Sequence, residues 1–195
     1  MNRAELKSLA KQQIKGNVGT LFLVALVVAL ITGALNLIPT VGSIASALIG
    51  PAFTLATVAI YLGMAEGKKP AVGDVFSKID QFWPAFKVNF LVGLFTGLWS
   101  LLFVIPGIIK GLSYSQANYV LAENPGIGAR EAINRSKAMM EGHKMELFVL
   151  NLSFIGWMML TGITFGIASI WVIPYMNATM TNFYNKVKTG VTVEG

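Results

Sequence analysis

Residues 16–65, GNVGTLFLVALVVALITGALNLIPTVGSIASALIGPAFTLATVAIYLGMA, run for 50 positions without one charged side chain. A transmembrane helix needs roughly 20 apolar residues, so the stretch holds two. The break falls at Asn36-Leu37-Ile38-Pro39-Thr40-Val41-Gly42, where proline and glycine permit a tight turn. The predicted product is a helical hairpin across a bilayer, with spans at 18–38 and 43–65. The same pattern recurs along the chain. Val88–Ile109 is free of charge for 22 positions, Gly111–Ala122 follows after Lys110, and Leu147–Asn185 is free of charge for 39 positions. These runs predict four more spans, at 86–105, 107–122, 146–161 and 165–185. The expected fold is all-α: a polytopic bundle of six transmembrane helices in three hairpins, over residues 18–185.

Composition agrees with a bilayer as solvent. Only 12% of the residues are charged and 54% are hydrophobic, whereas soluble domains carry about 25% charged residues. Too few charges remain to cover a water-facing surface. The net charge of +6 and pI of about 9.6 would suggest nucleic acid in a soluble protein. In a membrane protein they reflect lysine and arginine gathered on the cytoplasmic side, so nucleic acid is not an expected partner. The absence of cysteine excludes disulfides, thiolate nucleophiles and cysteine-ligated metals.

The charges also predict orientation. Of 15 Lys and Arg residues, four lie in the N-terminal segment, four in 66–87, four in 130–144 and two after 185; the last is Lys110. The positive-inside rule then places both termini and the loops 66–87 and 123–145 in the cytoplasm, with the protein in the cytoplasmic membrane. Residues 1–17 read as an amphipathic interfacial helix. Arg3, Lys7, Lys11 and Lys15 form a basic stripe beside Leu6, Leu9, Ala10 and Ile14, a pattern suited to anionic inner-leaflet headgroups. Residues 186–195 read as a tail.

The central loop carries the longest polar stretch. Its apolar positions, Ile127, Ala132, Ile133, Ser136, Met139 and Met140, approximate a helical face. A helix over 127–141 on the inner membrane surface is expected, bounded by Gly126 and Gly142. Arg135 is expected on its apolar side, reaching back to Glu123 or to the carbonyls that end the fourth span. Each returning span holds a proline, Pro51, Pro106 or Pro174, and Pro51–Tyr61 and Pro174–Tyr184 share a spacing of ten. The pattern suggests three related hairpins around an axis. Glycines four apart, Gly42 with Gly50 beyond Ser46, and Gly93 with Gly97, suggest close helix packing.

Polar residues inside the spans are candidates for function or for interhelical hydrogen bonds. Gln116 and Asn118 belong to the fourth span and Asn177 to the sixth. Lys110 is the one cation at membrane depth; after the Pro106-Gly107 turn it is expected to snorkel to the outer interface. No carboxylate lies inside a span beyond Glu146 at the first position of the fifth, His143 has no second histidine, and no nucleotide-binding fingerprint is present. No enzyme, metal or cofactor is therefore expected.

Several short runs together resemble a known family. They are Met1-Asn2-Arg3, Lys15-Gly16-Asn17, Gly50-Pro51, Ile105-Pro106-Gly107-Ile108, Glu131-Ala132-Ile133-Asn134-Arg135-Ser136, Gly142-His143-Lys144, Pro174-Tyr175 and Asn182-Phe183-Tyr184. They resemble DUF975, bacterial integral membrane proteins of unknown function common in Firmicutes. The Ala-Ile-x-Arg-Ser run is also similar to the membrane domain of some glycerophosphodiester phosphodiesterases, whose catalytic domain is absent here. Val18 departs from the aromatic residue expected after Gly16-Asn17. The resemblance implies a membrane protein of a Gram-positive cell and transfers no catalytic residue. Two functions remain open: a non-enzymatic scaffold or accessory subunit binding a partner through its cytoplasmic loops, and a small transporter or channel lined by spans two, four and six.

Overall fold

The computed structural model describes residues 2–38 and 40–193, and every regular element among them is helical. Pro39, in the expected first turn, lies outside the described residues. The elements are α1 (Arg3–Ile14), α2 (Val18–Asn36), α3 (Val41–Ala65), two short 3-10 helices (Val72–Phe76 and Ile79–Gln81), α4 (Phe82–Leu102), α5 (Val104–Tyr114), α6 (Ala117–Glu123), α7 (Ala129–Met139), α8 (Lys144–Leu152), α9 (Ile155–Ile163) and α10 (Ser169–Val193).

Among the described residues, four helical segments are long and apolar enough to cross a membrane: Val18–Asn36, Val41–Ala65, Val72–Leu101 and Lys144–Ile163. The other two expected spans take a different form. The fourth divides into α5 and α6 at Ser115–Gln116. The sixth is α10, whose 25 residues are long enough but carry Asn177, Thr179, Thr181 and Asn182, which lower its apolarity. The fifth also breaks, between α8 and α9 at Ser153–Phe154. The expected tail from 186 instead continues α10 to Val193.

The helices form a closed ring of three hairpins. In each, a leading helix (α2, α4, or α8 with α9) is followed by a returning one (α3, α5 with α6, or α10). Each returning helix packs on the next leading helix: α3 on α4, α5 on α8, and α10 back on α2. A short helical element precedes each hairpin and docks on the returning helix before it. The 3-10 pair packs on α3, α7 on α6, and α1 on α10. The threefold pattern of the prolines thus has a counterpart in the tertiary contacts. Local chemistry supports the joints: Gly16 and Gly142 have φ of 83° and 79°, so α1 and α7 each end in the left-handed conformation that glycine adopts without strain.

The interior is concentrated in the half of the bundle that carries the charged residues. Leu55, Leu121, Leu150, Phe154, Phe183 and Tyr184 are buried there. At the opposite tips, Leu37, Leu101, Ile163 and Phe165 are 83%, 85%, 73% and 97% exposed. Exposed apolar surface on this scale needs a non-aqueous partner. Two glycines close the tips within hairpins. A Cβ on Gly42 would sit 1.6 Å from the Leu35 carbonyl oxygen, and one on Gly107 would sit 2.1 Å from Ser100 Oγ. Gly50, Gly93 and Gly97, expected to pack closely, face open space.

The short helices α1 and α7 bury apolar residues against protein. On α1, Leu6, Ala10 and Ile14 are buried against α10, while Leu9 stays exposed. Gln13 and Asn182 exchange two amide hydrogen bonds at 3.0 Å. Lys186 pairs with Glu5 at 2.8 Å. Lys7 Nζ donates to the Ser153 carbonyl at 3.3 Å and lies 4.5 Å from the Phe154 ring centre, covering the α8–α9 break. Burial holds the Lys7 ammonium below its ordinary pKa, and the nearby charges of Arg3 and Lys11 act in the same direction.

Candidate functional site

The three returning helices converge at their charged ends and leave a cup of about 940 Å³ between them. Its volume falls within the range of small-molecule sites. The walls come from the last turns of α3 and α6, from Tyr184 and Lys188 of α10, from one side of α7, and from the loop after α3. Ile60, Leu62, Val120 and Met139 supply apolar surface; Glu66, Asp74, Glu123, Lys68, Lys69, Arg135 and Lys188 supply charge.

Threefold related positions meet in this cup. Glu66, Glu123 and Lys188 each follow a returning-helix tyrosine, Tyr61, Tyr119 or Tyr184, by one helical turn or slightly more. The third position is a lysine where the first two are carboxylates, and it pairs with the second. Lys188 Nζ donates to Glu123 Oε2 at 2.7 Å, and Tyr184 Oη donates to the same oxygen at 2.7 Å. Beneath them the Tyr119 and Tyr184 rings stack with centres 5.0 Å apart.

The loop after α3 builds the opposite part of the wall. Gly67 has φ of 87°, and the Lys68 N–H donates to the Gly63 carbonyl at 2.9 Å, a glycine-ended helix stop. The turn lays the Lys68 side chain over Gly63, where an added Cβ would meet Lys68 Cδ at 3.5 Å. Lys68 Nζ then pairs with Glu66 at 2.8 Å. That hydrogen bond and charge hold the Glu66 carboxyl below the ordinary carboxylate range. The Asp74 carboxylate accepts from the Ala71 N–H at 2.8 Å and so caps the first 3-10 helix.

The sequence-derived candidates separate into two groups. Glu123 and Arg135 reach the cup together, yet they do not pair as expected. Arg135 is on the exposed side of α7 and pairs with Glu131 at 2.8 Å, whereas Glu123 is taken by Tyr184 and Lys188. The helical period puts Ser136, not Arg135, on the inward face. Ser136 is fully buried. Its hydroxyl accepts from the Gln116 backbone N–H at 3.1 Å and donates to the Ser113 carbonyl at 2.9 Å. It therefore bridges the backbone groups freed by the α5–α6 break. α7 is an inserted brace against α4, α5 and α6, with Ala132, Ile133 and Met139 buried towards the bundle.

The remaining candidates lie elsewhere. The Gln116 side chain donates to Ser115 Oγ at 2.9 Å. Asn118 exchanges hydrogen bonds with Asn89 of α4 at 3.0 and 3.3 Å. Asn177 and Tyr61 line a separate cleft of about 250 Å³ between α2, α3 and α10. Pro51 and Pro174 sit inside α3 and α10, and Pro106 lies in the first turn of α5. Lys110 is half-buried, with Nζ 5.0 Å from the Trp99 ring centre. Sequence reading missed Tyr184 and Lys188 as partners of Glu123; the spacing of the returning-helix tyrosines was the available signal. Among the described residues, no group of three His, Asp or Glu side chains is placed to hold a metal ion.

An all-helical chain with four segments fit to cross a membrane and a charged cup at one end defines a class compatible with membrane proteins. Within that class the chain belongs to the DUF975 family, proteins of unknown function, whose description matches residues 1–110 and 101–190. No curated protein and no solved structure matches the chain.

Proposed function

We propose that this protein is a non-enzymatic component of the cytoplasmic membrane, a scaffold or accessory subunit that presents the charged cup to the cytosol. In this reading three hairpins cross or enter the bilayer, and both termini face the cytoplasm with the cationic loops. The short reach of the cup along α3 is what supports this reading over a conduit. Its deepest α3 wall, at Ala59 and Ile60, is roughly 9 Å from Ala65 at 1.5 Å per residue. The middle of a ~30 Å hydrocarbon layer is farther away. Tyr184 lines the cup and stacks on the Tyr119 ring.

Two measurements on the purified or native protein test this. Single cysteines replacing Asn2, Lys78 or Arg135 should resist an impermeant thiol reagent in intact cells, while one replacing Thr40 should react. Reaction at Lys78 or Arg135 would reverse the orientation. Proteoliposomes should show no flux of small ions or of uncharged solutes above empty vesicles. Flux that rises on Tyr184→Ala would instead favour a transporter gated at the tyrosine stack.

A further inference from the structure

We infer that the cup is a binding site for a phosphate ester carrying an apolar body. The inference rests on the cytosol-facing reading above and assigns that site a ligand class. Each carboxylate around the cup is already engaged by this chain's own donors: Glu66 by Lys68, Glu123 by Tyr184 and Lys188, and Asp74 by the Ala71 N–H. The donors are not exhausted in the same way. Lys69 makes no ion pair among the described residues. Arg135 meets Glu131 through Nε alone, and that pair is half exposed on both sides. Its two Nη groups retain the planar fork that matches phosphate oxygens in bidentate fashion.

The cup is also built to hold more than an inorganic ion. Ile60, Leu62, Val120 and Met139 line it beside the cations, which gives an apolar body a place next to the anionic group. The Lys68 stem passes over Gly63 and leaves its exposed ammonium at the rim of the cup. The phosphate ester could come from the headgroup of a membrane lipid or from a soluble metabolite. The chemistry recognised is the same.

The test uses the full chain in phosphatidylcholine nanodiscs, titrated calorimetrically with dihexanoyl phosphatidic acid, glycerol 3-phosphate and dihexanoyl phosphatidylcholine. Saturable binding of the phosphatidic acid is expected, with the phosphatidylcholine inactive. Glycerol 3-phosphate binding as well, but more weakly, would support a soluble source; its failure to bind would support a membrane lipid. Arg135→Gln and Lys69→Gln should each weaken phosphatidic acid binding by about tenfold or more. Lys78→Gln, the same charge change outside the cup lining, should leave it within about twofold. Circular dichroism and gel filtration check that each variant folds. The inference is overturned by no saturable binding, by equal weakening in all three variants, by no weakening in either cup variant, or by binding of glycerol 3-phosphate alone. Flux in proteoliposomes would overturn the non-transport reading separately, and this titration would still decide the cup.

Discussion

The hydroxyl of Ser136 on α7 accepts from the Gln116 backbone N–H at 3.1 Å, across 20 residues of sequence, and so repairs the break between α5 and α6. The same hydroxyl donates a hydrogen bond to the Ser113 carbonyl at 2.9 Å. One buried side chain thereby satisfies a donor and an acceptor that the broken helix leaves over. A buried backbone group without a partner costs about 1–3 kcal/mol.

Ser136→Ala should therefore destabilise the protein by about 1–3 kcal/mol. The loss should be local first, with faster amide hydrogen exchange across residues 113–117. Arg135→Ala removes only a half-exposed ion pair with Glu131, worth about 0–1 kcal/mol, and should leave that exchange pattern unchanged. Thermal unfolding in detergent and exchange mass spectrometry would compare the two. Equal exchange at 113–117 in wild type and Ser136→Ala would remove the hydroxyl from its bracing role.

The reciprocal amide pair between Gln13 and Asn182 should make α1 and α10 energetically coupled. Gln13→Ala and Asn182→Ala should be non-additive, with an interaction energy of about 0.5–3 kcal/mol in a double-mutant cycle. Strict additivity would mean that α1 docks through Leu6, Ala10 and Ile14 alone.

Glycine positions offer a contrast that depends only on space. Gly42→Ala places a methyl 1.6 Å from a backbone oxygen of α2, which no side-chain rotation relieves. It should prevent α2 and α3 from closing and lower Tm sharply. Gly93→Ala meets nothing within 4 Å and should be neutral or slightly stabilising, because alanine is the better helix former by about 1 kcal/mol. Thermal unfolding of the two variants reads the difference.

The Glu66–Lys68 pair predicts a pH response. A carboxyl whose folded pKa is depressed contributes stability that is present above its unfolded pKa and lost as pH falls through the folded value. For Glu66 the ordinary value is 4.5 and the folded one lies lower. The pair should hold throughout the neutral range and part only in acid below that ordinary value. A carboxyl-resolved NMR titration should find the Glu66 midpoint under 4.5, and Lys68→Gln should return it toward 4.5. An unchanged midpoint in that variant would assign the depression to another group.

Long charge-free runs determined much of the fold by themselves. The 16–65 run is long enough for two helices and a turn, each helix satisfying its own backbone in an apolar medium, and α2 and α3 occupy it. The amphipathic period of α1 and α7 was legible for the same reason: side chains three and four apart share a face regardless of what covers it. What covers it was not legible. Leu6 and Ile133 could have met lipid or protein, and only the closed ring put α10 against one and the broken span against the other. The helix breaks at 115–116 and 153–154 were hidden because they are stabilised from a distance, by Ser136 and Lys7. In the cup, charge and loop position exposed Glu123 and Arg135 as candidates. Their partners were decided by tertiary packing, since Glu123, Tyr184 and Lys188 meet only where α6 and α10 converge, 61 and 65 residues apart along the chain.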